Sequence, residues 1–223
     1  YVDAADFVSK LDNVQNLYDA VKAMNATKQQ IFNMVYMVNV SQPLDATMRG
    51  YIQQALVLSH LTVPEFIGML NKVGDLYDVI NALGASEKAL FSSTFSVNLL
   101  NGINTMAEYD AFTSIVTAHK VYAWGTYDYA GAAAFASALT KNSSLIDAVK
   151  ASPAAVKSAF KAGYGIDVDV VLTPVDYEAL SQITGDPAYV DAADFVANLD
   201  NAQMLYDAVK AMNVTKQQIF NMV

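Results

Sequence analysis

A block of 35 residues occurs twice in this chain. Tyr1 to Val35 returns as Tyr189 to Val223, 188 residues later, with 30 of the 35 positions identical. The changes are Ser9 to Ala197, Lys10 to Asn198, Val14 to Ala202, Asn16 to Met204 and Ala26 to Val214. A chain that repeats itself is confined to architectures in which each copy packs in the same way on its neighbours. Drift this small points to a recently duplicated or continually homogenised tandem array. An artificial overlap would be identical rather than differing at five places.

A shorter period lies inside the long one. Phe7, Leu11, Leu17, Asp19 and Phe32 align without a gap to Phe66, Leu70, Leu76, Asp78 and Phe91, and then to Phe135, Leu139, Leu145, Asp147 and Phe160. The spacing divides the chain into units at 6–64, 65–133 and 134–193, with residues 1–5 ending a preceding unit and 194–223 opening the next. The 188-residue period is then a triplet of units of about 60 residues.

Each unit reads as three helices. Phe7, Leu11, Val14, Leu17, Tyr18, Val21 and Met24 fall at steps of three and four, the apolar stripe of an amphipathic helix. Asn25, Gly84 and Pro153 mark a break, and a second helix is expected near Thr27 and Ser86, whose hydroxyls suit an N-cap. A third helix is expected over approximately 45–59, 106–118 and 174–183. The only stretch that alternates like a strand is Asp167 to Leu172. The expected fold is all-α, a tandem array of three-helix units built as an α-solenoid or as stacked small bundles. In such an array Phe7, Leu11, Phe66, Leu70, Phe135, Leu139, Leu205, Val209 and Ile219 pack between units. Tyr189 to Val223 should dock on the unit before it or on another subunit.

Composition narrows the function by exclusion. The chain is 54% hydrophobic, carries a net charge of −9, and its basic residues are lysines apart from Arg49. A nucleic-acid partner is therefore not expected, since the guanidinium contacts that grip phosphate and read bases are nearly absent. No apolar run is long enough to span a bilayer, so membrane insertion is not expected. Tyr1-Val2-Asp3 lacks an initiator Met and a basic n-region, and the chain reads as an excerpt of a longer one. There is no cysteine and there are two histidines, which leaves no thiolate site, no histidine-rich metal site and no expected cofactor. None of the common nucleophile, phosphate-loop or zinc-protease motifs occurs, and an enzyme is not expected.

Smaller features have structural readings. His60 and His119 should sit at the end of a third helix, favoured by its dipole. Asp167 and Asp169 suit a solvated loop better than a calcium loop. Recurrent Asp19, Asp78 and Asp147 suit an exposed position or a hydrogen bond to a neighbouring helix end. Sequons at Asn25, Asn39, Asn142 and Asn213 are glycosylation acceptors if the chain is secreted.

One feature breaks the period. The second unit is about ten residues longer than its siblings, and the excess falls near Lys120 to Gly131, around the only tryptophan. Tyr122, Trp124, Tyr127, Asp128 and Tyr129 either recognise a glycan, peptide or small ligand, or plug a gap between units. The function expected from the whole is a structural module of a long fibre, filament or adhesin, on a cell surface or a virion. Its partners would be neighbouring copies of the repeat, with a surface glycan or receptor in addition.

Overall fold

The structure, a computed structural model, describes residues 3–212. Ile219 and the second-helix positions of the final segment lie outside the described residues. Helices dominate. α1 (Ala4–Lys22), α2 (Ala26–Tyr36) and α3 (Ala46–Ser59) are followed by α4 (Val63–Ala82), α5 (Ala85–Phe95) and α6 (Met106–Val116). A hairpin of β1 (His119–Tyr122) and β2 (Gly125–Asp128) comes next, then α7 (Ala132–Ala151), α8 (Ala154–Tyr164), α9 (Pro174–Gly185) and α10 (Ala192–Lys210). No described helix is long and apolar enough to cross a membrane.

Local chemistry sets the helix ends. Asp3, Asn25, Asp45 and Asp191 each accept the backbone N–H of the residue three places on, which satisfies a donor that the first turn leaves over. Reciprocal caps open α4, α6 and α9, where Glu65, Glu108 and Asp176 accept from the N–H groups of Thr62, Thr105 and Thr173 at 2.8, 3.1 and 2.8 Å. The expected N-cap role of Thr27 and Ser86 is corrected: Asn25 and Gly84, two residues earlier, are the N-caps. The freed hydroxyls reach across to the next long helix, Thr27 donating to Asp78 at 2.7 Å and Ser86 to Asp147 at 3.0 Å. Thus two of the recurrent acids tie one helix end to the next element, while Asp19 is exposed and accepts from Gln15 at 3.1 Å.

The core is a line of aromatic rings. Phe32 meets Phe66, Phe91 meets Phe112 and Phe135, and Phe135 stacks on Tyr177, with centroids 5.3 to 6.0 Å apart. Phe66, Leu70, Phe135 and Leu139 are buried where α4 and α7 cross their neighbours. α10 docks on α7 and α8, with Phe195 edge-on to Phe160 at 6.0 Å.

Ala155 holds the repeat position of Thr27 and Ser86, and Asp207 on α10 holds that of Asp78 and Asp147. It has no hydroxyl to donate, so this junction lacks the bond that the other two make. Ala155→Thr is expected to stabilise the chain by about 1 kcal/mol. Thermal unfolding measures it, and an unchanged midpoint alongside an unchanged Asp207→Ala double variant would show that no bond forms.

The strand expectation is overturned. Asp167 to Leu172 is a turn, because Asp167 accepts the Asp169 N–H at 3.1 Å and its carboxylate pairs with Lys161 at 2.6 Å. Among the described residues no strand lies beside it to pair with. The strands lie instead in the aromatic insert, with Tyr122 opposite Gly125 and His119 opposite Asp128. His119 is therefore in a strand and not at a helix end, its Nδ1 2.5 Å from the Asp128 carboxylate, whereas His60 does close α3. Asn142 is fully buried, and its amide bonds the Ser181 and Thr184 hydroxyls at 2.9 and 2.8 Å. That sequon is closed to glycosylation in the folded chain.

Candidate functional site

Three of the clefts among the described residues share one construction, each walled by the end of a short helix, the middle of the helix after it, and the element that follows. Tyr36, Phe95 and Tyr164 occupy the same wall in turn, at the last residue of α2, α5 and α8. Counting nine residues from the N-caps Asp45, Thr105 and Thr173, Gln54, Ser114 and Gln182 occupy the second wall. Asp110 on α6 and Glu178 on α9, each five residues past its N-cap, line the first and second clefts.

Their contents differ. The first cleft has a volume of about 630 Å³, the second about 290 Å³ and the third about 750 Å³. The hairpin explains the small one, since Lys120 and Tyr127 enter it and line it with Glu178. Glu178 is 3% exposed, a costly place for a carboxylate unless it is paired. Lys120 Nζ lies 2.7 Å from one of its oxygens, and the Tyr122 hydroxyl donates to the other. The bond to Glu178 raises the Lys120 ammonium above its ordinary pKa, while burial and the same carboxylate raise Tyr122. Burial also pushes Tyr127 far upward, and Gln182 Nε2 donates to the Thr126 carbonyl at 3.0 Å. The hairpin is thereby bolted to α9 along its length.

The candidate residues of the insert consequently split. Tyr127 and Tyr129 pack against the main core, and Asp128 pairs with His119. Tyr122 stacks flat on Trp124, 4.3 Å between centroids, and Trp124 alone of the aromatic set reaches the third cleft, beside Tyr164, Tyr189 and Phe195. Among the described residues no group of three or more His, Asp or Glu side chains stands close enough to hold a metal.

Sequence reasoning passed over Glu178 and Asp110, the acids that set the electrostatics of the first two clefts. The available signal was their shared place, fifth after an N-cap threonine, but one residue type at one spacing does not say what it faces. The positions expected to pack between units also divide. Phe66, Leu70, Phe135 and Leu139 are buried, whereas Phe7 and Leu11 on α1 are 42% and 39% exposed. Val209 is buried and Leu205 is exposed. No known protein family, curated protein or solved structure matches the chain.

Proposed function

We propose that the chain is a non-enzymatic structural module of a long fibre, filament or adhesin, assembled by stacking helical units end to end and displayed on a cell surface or virion. One observation carries the reading. α1 and α10 are nearly the same sequence, yet they bury different parts of their apolar surface. α1 buries Val14, Leu17, Tyr18 and Val21 and leaves Val8 and Leu11 exposed. α10 packs Val196 and Leu199, the counterparts of that exposed pair, and buries Val209, but leaves Leu205 and Tyr206, the counterparts of Leu17 and Tyr18, exposed. Together the two parts make up the surface that α4 and α7 bury from both sides within the chain. Open apolar faces of this kind mark a missing neighbour, and the neighbour that fits α1 is another copy of the segment on which α10 sits.

The near-identity of the two blocks supports the same reading, because an array maintained by homogenisation keeps its copies alike. The test is the denatured mass of the native polypeptide. A mass many times 24.1 kDa, with limited proteolysis giving a ladder at 188-residue steps, is the expected result. A native mass equal to that of the present chain would refute it.

A second reading, recognition of a saccharide through the insert, has one feature in its favour: Trp124 offers a half-exposed ring face to the third cleft. Saccharide-dependent change in Trp124 emission, lost in Trp124→Ala, would carry it. Unchanged emission across a glycan panel would remove it.

A further inference from the structure

We propose that the first cleft is a binding site for an aromatic ammonium, a small primary amine carrying a ring. The argument comes from the second cleft, which holds its own answer to what fits such a space. There the occupant is a phenol ring, that of Tyr127, with an ammonium, that of Lys120, set against the carboxylate of Glu178. The first cleft has the same walls and the same acid position, but no hairpin to fill it. Asp110 replaces Glu178, Tyr36 replaces Phe95, and Tyr109 replaces Tyr177 as the ring behind.

The geometry suits that occupant. Tyr36 and Tyr109 lie 5.8 Å apart and nearly perpendicular, and Tyr36 also meets Phe66 at 5.3 Å, which gives an aromatic-walled slot. Met37, Met69 and Met106 complete its apolar lining, adaptable side chains that mould to a ring. Asp110 is exposed at the rim, and while its backbone carbonyl accepts from the Ser114 hydroxyl, its carboxylate has no hydrogen-bond or ion-pair partner among the described residues. The Tyr36 hydroxyl is held protonated by burial first, then by Tyr109, and last by the Asp110 charge, which places that carboxylate within electrostatic reach of the slot. A neutral aromatic would leave the carboxylate unused, and an anion would be repelled by it. All walls belong to the present chain, so the site stands whether or not the chain forms an array.

Tryptamine is the probe, titrated into the isotopically labelled protein while amide resonances of α2 and α6 are followed. Saturable shifts at Tyr36, Met37, Asp110 and neighbouring residues are expected, with indole-3-propionate, the same ring with the opposite charge, binding about tenfold more weakly or not at all. Asp110→Asn, at an exposed helix position, should keep the fold and abolish that discrimination. The proposal fails if both compounds shift the resonances equally, if tryptamine shifts none of them, or if the Asn variant binds tryptamine as well as the parent. It also fails if the cleft resonances move with protein concentration alone, since a second copy would then be the occupant.

Discussion

Between about pH 10 and pH 12 the chain is expected to lose its helical structure in one cooperative step. The cause is buried phenols. Burial raises Tyr36, Tyr127 and Tyr177 well above the ordinary tyrosine value, raises Tyr109, and pushes Tyr129 up to about 12. In the unfolded chain these groups ionise near pH 10, while the folded chain holds them protonated. Below about pH 10 both states carry the same protons and the packing contributes in full. Above it the unfolded state binds fewer protons than the native one, so stability falls as pH rises. Each phenol that stays protonated removes about 1.4 kcal/mol per pH unit, and the three raised furthest, Tyr36, Tyr127 and Tyr177, together remove about 8 kcal/mol over two units, comparable with the roughly 5 to 15 kcal/mol that holds a typical domain. Lys120 acts in the same direction. Its folded pKa is raised, so its contribution is complete below the unfolded value and is lost as the pH climbs through the folded one. Tyrosinate absorbance and far-UV circular dichroism should therefore change together. A chain that kept its helicity to about pH 12 while its tyrosines ionised one by one would contradict the burial described here.

The second large effect is a contrast between equivalent positions. Leu70→Ala should cost about 3 kcal/mol, because Leu70 is 0% exposed between α4 and its neighbours and truncation leaves a cavity. Leu139→Ala should cost a similar amount, Leu139 being equally buried. Leu11→Ala changes the same position of the repeat and should cost only about 0.5 kcal/mol, since Leu11 already faces solvent. Denaturant unfolding of the three variants measures the difference. Equal losses at all three sites would mean that the end of α1 is covered, and the open-face account would be wrong.

Much of the helical pattern was legible in advance. Steps of three and four placed α1, the repeat carried the same stripe to α4 and α7, and the third helices expected at 45–59, 106–118 and 174–183 lie within about two residues of α3, α6 and α9. The hairpin was not legible, for a local reason. Its turn is Ala123-Trp124, with none of the Asn-Gly or Asp-Gly chemistry that announces a two-residue loop, and its strands are four residues each. Asp167 to Leu172 misled because alternation says which face a residue takes and not whether a partner strand exists. Thr27 and Ser86 were misplaced by two positions, since a hydroxyl at the N-cap and one in the first turn just inside the helix give nearly the same pattern. The clefts were out of reach for a different reason. Tyr36, Asp110 and Gln54 come from three separate helices, and only packing brings them to one opening. Glu178 looked like any surface acid on a helix until the insert was found lying across it.

Both open faces follow from one premise, that the segment before α1 and the segment after α10 are further copies of the same structure. The most direct test is the stability of a chain lengthened by one 188-residue period. The account predicts a single transition at a higher temperature than that of the present chain, with Leu205→Ala, at a position exposed in the present chain and interior in the longer one, costing as much as Leu70→Ala. Two transitions, or one at the unchanged temperature with Leu205→Ala nearly neutral, would mean that the copies do not stack, and the fibre reading would fall.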